Sequence, residues 1–105
     1  MGAADFETAV QRLITQVGHW EAARWNAPAA GGGSTRAEAV RTLVQRLADQ
    51  AADAEQRRHR PVPRLADTVL PDQLRVMADD LLATKPPEDV LSRATAAVTD
   101  ARDAL

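Results

Sequence analysis

Apolar residues recur along this chain at alternating steps of three and four in four separate stretches. This spacing places each set on one side of an α-helix, and each apolar side then needs cover from the other helices. The four sets are Phe6, Val10, Leu13, Val17 and Trp20; Val40, Val44, Leu47, Ala51 and Ala54; Leu74, Met77 and Leu81; and Leu91, Ala94, Val98, Ala101 and Leu105. No stretch alternates apolar and polar residues as a half-buried strand does. The pattern therefore predicts an all-α fold, a four-helix bundle.

Helix-breaking and capping residues give the boundaries of these helices. Asp5 is the predicted N-cap of the first helix, and Gly18 inside it predicts fraying or a bend. Thr35, with Glu38 three residues later, forms a capping box for the second helix. Pro71 suits the first turn of the third. The predicted helices span about residues 5–25, 35–58, 71–84 and 87–105.

Two segments between the helices lack a helical pattern. Residues 28–34 include three consecutive glycines and predict a flexible surface loop, since a phosphate-binding loop would need a strand before it and Lys-Ser/Thr after it. Residues 59–70 form a Pro- and Arg-rich connection in which Pro61 and Pro63 require extended backbone. An extended connection of this length fits either a short return or a long crossover, so the topology stays open.

Length and composition describe one domain spanning residues 1–105. The chain is 45% apolar and 27% charged, with a net charge of −2. It contains no cysteine, which excludes disulfides, thiolate metal sites and thiol catalysis. No apolar run approaches the ~20 residues of a membrane span, and the first residues lack the basic and apolar regions of a secretory signal. We therefore expect a cytoplasmic protein without membrane contact.

The two tryptophans and two histidines are the most distinctive side chains. Trp20 continues the first apolar stripe, which predicts burial in the core. Trp25 falls off the stripe, so it either folds back over the end of the bundle or serves as an exposed anchor for a partner protein. His19, two residues before Glu21, and His59 are the candidate metal ligands. They are too few for a site, so no metal or other cofactor is predicted.

The densest basic patch consists of Arg57, Arg58, Arg60 and Arg64. One interpretation is a helix C-terminus, whose dipole favours cations. The other is a surface that binds a partner protein or nucleic acid. A sequence pI of about 5.6 and the absence of interleaved aromatic residues disfavour nucleic acid. These four arginines and Trp25 are the candidate partner-binding residues.

Acidic residues on the third helix predict a solvated surface rather than a catalytic pair. Arg75 lies three residues after Asp72 and four before Asp79, so it can reach both carboxylates on one helix face. Nothing in the pattern indicates the pocket that would shift a carboxyl pKa for acid–base chemistry. No residue is predicted to be catalytic.

A tryptophan-rich helix end followed by proline, and then a Ser/Thr-capped second helix, resembles the DinB-like superfamily, which includes mycothiol-dependent maleylpyruvate isomerases. The resemblance is carried by Trp20, Arg24 to Pro28, Ser34-Thr35, residues 44–49 and residues 73–82. It implies a four-helix bundle and places the family's metal-binding histidine of the second helix near Gln45 or Arg46. No histidine stands there, so the family's thiol-transfer activity is not implied.

Three hypotheses of function follow. The first is a non-enzymatic helical bundle that acts through protein–protein contact, or through self-association by the Ala-rich faces of its second and fourth helices. The second is a DinB-like domain that binds a small molecule or a metal. The third is weak nucleic-acid binding through residues 57–64. The sequence favours the first, because no catalytic constellation is present.

Overall fold

The computed structural model describes residues 2–105, and all the regular secondary structure in that range is helical. An isolated β-bridge, Pro28 with Thr35, is the one extended pairing among these residues. A short 3₁₀ turn, Asp67–Val69, precedes the fourth of five α-helices. These are α1 (Ala3–Val17), α2 (Ala22–Trp25), α3 (Arg36–Ala54), α4 (Leu70–Ala83) and α5 (Glu88–Asp103). The predicted all-α class is confirmed.

The first predicted helix is two helices. Helix α1 ends at Val17, and the N–H of Gly18 caps it by donating to the Ile14 carbonyl at 2.8 Å. The break falls at the glycine because glycine destabilises a helix interior. The predicted N-cap is wrong: α1 begins at Ala3, and Asp5 lies in its first turn. Gly2 occupies the cap position at φ 121°, a backbone conformation that glycine adopts without strain.

The predicted starts of the next two long helices are confirmed. Thr35 Oγ1 accepts from the Glu38 N–H at 3.1 Å and caps α3. In a capping box, the Glu38 carboxylate would accept from the Thr35 backbone N–H. Here it pairs with Arg64 at 2.9 Å, which is a tertiary contact. Pro71 lies in the first turn of α4. Helix α3 is shorter than predicted, ending at Ala54, and Gln56 adopts a positive φ of 55° just beyond it.

The four predicted stripes meet in one hydrophobic core. All their members are buried except Ala54, which is exposed, and Met77 and Leu105, which are half-buried. Trp20 is buried at 6% exposure, as predicted. Of the alanines on α3 and α5, Ala54 and Ala96 are exposed, and the following are buried within this chain: Ala37, Ala51, Ala52, Ala94, Ala97 and Ala101.

The connection between α3 and α4 is a long crossover. Val44 and Leu70 line one cavity, while Ala51 and Met77 line another farther along both helices, so α3 and α4 run in the same direction. Parallel neighbours require the chain to return along a helix before the second one starts. Residues 57–66, here called the strap, make that return.

The two terminal helices also pack together. At one end, a Cβ placed on Gly2 would lie 3.3 Å from Leu91 at the start of α5. At the other, Arg102 Nε donates to Gln16 Oε1 at 3.0 Å. Helices α1 and α5 are therefore parallel neighbours, and the contacts between them join residues from opposite ends of the sequence.

The glycine loop is tied at its base. The Ala29 N–H donates to the Ser34 carbonyl at 2.9 Å, and the Ala30 N–H donates to the Ala104 carbonyl at 2.7 Å. The three glycines between them have φ values of 87°, 75° and 83°, which side chains with a Cβ rarely adopt. The loop thus links the start of α3 to the end of α5, and its flexibility stays a prediction.

Candidate functional site

Gln45 on α3 holds the strap by its backbone. Its Nε2 donates to the Arg60 carbonyl at 3.0 Å, and its Oε1 accepts from the Val62 N–H at 2.8 Å. The same Nε2 donates to Asp49 Oδ1 at 2.8 Å, which orients the amide. Glutamine suits this position because one end of its amide donates and the other accepts. The two backbone bonds fix the register of the strap along α3.

Further side chains anchor the strap from both neighbouring helices. Gln73 on α4, buried at 9% exposure, donates from Nε2 to the Pro63 carbonyl at 2.9 Å. Arg41 on α3 donates to the Leu65 carbonyl at 2.9 Å and also pairs with the Asp67 carboxylate. The strap lacks regular secondary structure, so these side chains, rather than its own backbone, give it a defined path.

His59 fastens the first part of the strap to the C-terminal end of α3. Its Nε2 lies 2.6 Å from Asp53 Oδ1, and its Nδ1 lies 3.7 Å from Asp49 Oδ1. The hydrogen bond with Asp53 raises the pKa of the imidazole above its ordinary value of 6.5, and the Asp49 charge adds to this. The ring is half exposed, and its partial desolvation opposes the increase in pKa.

The raised pKa of His59 predicts that the strap is held better in mild acid. A folded-state pKa above the unfolded one adds stability below the unfolded value, and that stability is lost as pH rises through the folded value. We expect an NMR titration to place the His59 midpoint above 6.5. Asp53→Asn should lower that midpoint, whereas Asp72→Asn, an exposed change on α4, should leave it alone. An unchanged midpoint in Asp53→Asn would contradict the assignment.

A cavity of about 460 Å³ lies between α3 and the strap. Val44, Leu70 and Val62 contribute apolar surface to it. The charged and amide side chains of its lining are Glu38, Arg41, Gln45, Arg46, Asp49, Arg64 and Gln73. Its volume is that of an ordinary small-molecule pocket. The later part of the strap therefore faces this cavity, while its first part, including Arg58 and Arg60, lines a second cavity against α3 and α4.

Trp25 is not an exposed anchor: it is fully buried, and that prediction is corrected. Short helix α2 folds back against the 3₁₀ turn and α3, which carries the ring into the core. The ring packs edge-on against Trp20, with centroids 5.0 Å apart. The guanidinium of Arg24 lies 4.8 Å from the Trp20 ring centre and covers that ring. Trp25 thus takes the alternative position, over the end of the helices.

The four predicted arginines all lie along the strap, beyond the end of α3. Arg57 bonds Glu55 at 2.6 Å and Arg64 bonds Glu38 at 2.9 Å, both in exposed ion pairs of small energy. Arg58 and Arg60 are exposed and form no ion pair with any residue from 2 to 105. These two arginines are the uncommitted charges of the patch.

The histidines are not brought together. His19 is exposed beside α2, while His59 is engaged by carboxylates of α3. Across residues 2–105, no three histidine, aspartate or glutamate side chains are arranged to hold a metal ion. Of the two positions near which the DinB-like resemblance places a metal ligand, Gln45 binds the strap and Arg46 is exposed.

Arg75 binds one of its two predicted partners and one residue that was not predicted. It bonds Asp79 at 2.8 Å, as expected, but its second bond is to Glu7 on α1 at 3.0 Å rather than to Asp72. The guanidinium is drawn to α1 because the two helices pack together, and Asp72 is left exposed. The predicted salt-bridged surface is therefore a link between helices.

The strap anchors were missed in the sequence. Gln45, Gln73 and Arg41 lie next to apolar core positions, and a polar residue beside a stripe is ordinarily solvated. Their sequence signal is a polar residue directly beside an apolar one, in Val40-Arg41, Val44-Gln45 and Gln73-Leu74. Such a signal becomes informative only when a nearby extended segment with unpaired backbone groups is known.

No family model, curated protein or solved structure matches this chain. The DinB-like resemblance therefore stays a prediction. No helix within residues 2–105 combines the length and apolar content that crossing a bilayer requires.

Proposed function

We propose that this protein is a non-enzymatic binding module, a four-helix bundle that presents the exposed arginines of its strap to an acidic partner protein. The observation that carries the proposal is the rigid display of two unpaired arginines. Arg58 and Arg60 flank His59, whose ring is fastened to Asp53, and the Arg60 carbonyl is held by Gln45. Both guanidinium groups extend from a backbone that is fixed before a partner arrives.

Fixing the backbone lowers the entropic cost of binding. An arginine on a disordered segment loses backbone and side-chain freedom when it contacts a partner, whereas an arginine on an anchored segment loses mainly its own rotamers. Arginine also binds carboxylates in a bidentate geometry, and it is enriched among residues that dominate interface energies. A carboxylate-rich protein surface matches this arrangement.

Protein is favoured over nucleic acid by charge and composition. The chain carries a net charge of −2, which opposes approach to the dense charge of a phosphate backbone more than approach to a less densely charged acidic protein surface. No aromatic side chain lies on the strap to stack with bases. Self-association stays a prediction with less to support it, because many alanines of α3 and α5 are inside the core, although Ala54 and Ala96 are exposed.

A charge-reversal experiment tests the proposal. We expect the immobilised wild-type protein to retain a specific protein from a native lysate of cells that encode it. The double variant Arg58→Glu, Arg60→Glu should retain at least about tenfold less of that protein, since each substitution replaces an attraction to the acidic partner with a repulsion. A matched double variant, Arg12→Glu with Arg93→Glu, makes the same charge change on α1 and α5 and should retain the wild-type amount.

Equal retention by the two double variants would contradict the proposal, as would the absence of any specific retained protein. Light scattering checks the competing form of contact: a dimer that dissociates on the strap substitutions would assign the surface to self-association. A gel shift with single-stranded DNA at low salt, abolished by the same substitutions, would assign it to nucleic acid. Circular dichroism confirms that each variant is folded.

A further inference from the structure

We propose that the seam between α3 and α5 is a surface on which a second copy of this chain docks, which forms a symmetric dimer. The surface uses residues other than Arg58 and Arg60, so the dimer goes beyond the protein contact proposed above and does not depend on it. The inference depends on a groove along the seam and on the alternating charges at its corners. The residues that carry the argument are Arg46, Gln50 and Asp53 of α3, and Arg93, Ala96 and Asp100 of α5.

An open groove of about 490 Å³ runs along this seam, where α3 and α5 pack together. Gln50 of α3 lies in its middle, opposite Ala96 and Ala97 of α5. Ala96 is exposed and Ala97 is buried. The α5 side of the groove is therefore shallow at its centre, and the distance at which another helix can pack depends on the side chains at the contact.

One arginine and one aspartate stand at each end of the groove. The glycine loop ties the start of α3 to the end of α5, so these two helices run in opposite directions. Arg46 therefore lies at the same end as Asp100, and Asp53 lies at the same end as Arg93. All four residues are exposed, so a second molecule can contact each of them.

The four charges do not pair with one another across the seam. No ion pair within residues 2–105 joins α3 to α5, and neither Arg46 nor Asp100 belongs to an ion pair there. Arg93 pairs with an aspartate one turn away on α5 and keeps 69% of its side chain exposed. Asp53 bonds His59 and keeps 68% exposed. A guanidinium has five donors and a carboxylate accepts several bonds, so these groups can take a further partner.

The charges alternate in sign around the groove, which makes the surface complementary to itself. In a dimer with a two-fold axis along the groove, α3 of each copy lies opposite α5 of its partner. Arg46 of each copy then faces Asp100 of the partner, and Arg93 faces the partner's Asp53. The surface holds two positive and two negative charges, so docking does not bring an excess of like charge together.

Side-chain size favours this axis over the one that runs across the groove. With the axis along the groove, Gln50 of each copy lies over Ala96 of the partner, and a long side chain fills the space above a small one. With the other axis, Gln50 would meet Gln50, and Arg46 would face Asp53. The self-association inferred here depends on charge and size complementarity, and its exposed alanine contributes only the space at the centre.

The size of the surface predicts a weak dimer. Helix α5 has 16 residues and is therefore about 24 Å long. A face of this length and two helices wide is at the low end of the areas that protein interfaces bury. We therefore expect an association that is reversible and depends on protein concentration.

Mixing two charge-reversed variants tests the surface. We expect sedimentation equilibrium of the wild type to show a reversible dimer at concentrations up to about 1 mM, which covers the weak end of the affinity scale. Arg46→Glu and Asp100→Lys should each raise the dimer dissociation constant at least about tenfold, because each change brings like charges together twice in a symmetric dimer. An equimolar mixture of the two variants should dimerise again, since all the facing charges are then opposite. Both positions are exposed, so the variants keep the fold.

Three controls separate this surface from the strap. Arg12→Glu makes the same charge reversal on exposed α1 and should leave the dimer dissociation constant unchanged. The Arg58→Glu, Arg60→Glu protein should dimerise like the wild type. The Arg12→Glu, Arg93→Glu protein should dimerise more weakly and still retain the partner of the strap.

The proposal is overturned if the wild type stays monomeric up to about 1 mM, or if either single variant dimerises as the wild type does. A mixture of Arg46→Glu and Asp100→Lys that stays monomeric would also overturn it, because these two positions would then not face each other. Loss of the dimer in the strap variant would place the contact on the strap and reject this surface. Partner retention is measured with other substitutions, so a negative result here leaves the strap proposal standing.

Discussion

Replacing Trp25 with alanine is expected to lower the free energy of unfolding by about 4 kcal/mol, the range for a large aromatic removed from a packed interior. The ring is fully buried and packs on Trp20 with its centroid 5.0 Å away. Its removal leaves a cavity and uncovers one edge of Trp20. For a domain of this size the loss is a large share of total stability. Urea unfolding followed by far-UV circular dichroism measures it.

Two further variants keep this prediction testable even if Trp25→Ala does not fold. Trp25→Phe retains most of the ring volume and should lose clearly less stability than the alanine variant. Leu65→Ala removes a large apolar side chain that is 48% exposed, and it should change the free energy of unfolding by less than about 1 kcal/mol. A Trp25→Ala protein as stable as Leu65→Ala would show that the tryptophan is not part of the core.

Replacing Gln45 with alanine is expected to lower the free energy of unfolding by about 2 kcal/mol and to release the strap locally. The change removes the acceptor of the Val62 N–H, a half-buried group, together with the donor to the Arg60 carbonyl. An unsatisfied buried donor costs more than the net gain of an ordinary hydrogen bond. Hydrogen exchange at the Val62 amide should accelerate, which reports release of the strap directly.

Gln45→Glu separates the two halves of this clamp. A carboxylate still accepts from the Val62 N–H but cannot donate to the Arg60 carbonyl, and it is repelled by Asp49, 2.8 Å from the present amide. In Gln45→Glu, we expect the hydrogen-exchange rate of the Val62 amide to lie between the rates in the wild type and in Gln45→Ala. Gln11→Ala is the control, since Gln11 is exposed and its side chain hydrogen-bonds to Thr15 in the next turn of the same helix. Unchanged Val62 exchange in Gln45→Ala would contradict the clamp.

The fold class could be read from the sequence because helix periodicity records burial directly. Val10, Leu13 and Leu47 are spaced for one helix face, and all three are buried. Local capping chemistry was equally readable: Thr35 caps α3 through a contact three residues away. Such features need only neighbours in sequence.

The strap could not be predicted because it depends on contacts between distant residues. The prolines indicated extended backbone but not its direction, which is determined by bonds such as Arg41 to Leu65, 24 residues apart. Trp25 was ambiguous for the same reason: only the position of α2 against α3 determines whether the ring is covered. The cavity forms between α3 and a segment more than a dozen residues later, so no local pattern describes it.

The parallel arrangement of α3 and α4 has a consequence for how the chain folds. Two antiparallel helices joined by a short turn can form as a local hairpin, but α4 and α5, joined across residues 84–87, do not pack against each other. Helices α3 and α4 must first close a loop of 15 residues, 55–69, and α1 reaches α5 only after most of the chain is placed. Closing a loop costs conformational entropy before the native contacts that offset this cost have formed. Gln45, by capturing the strap, shortens the search that brings α4 beside α3.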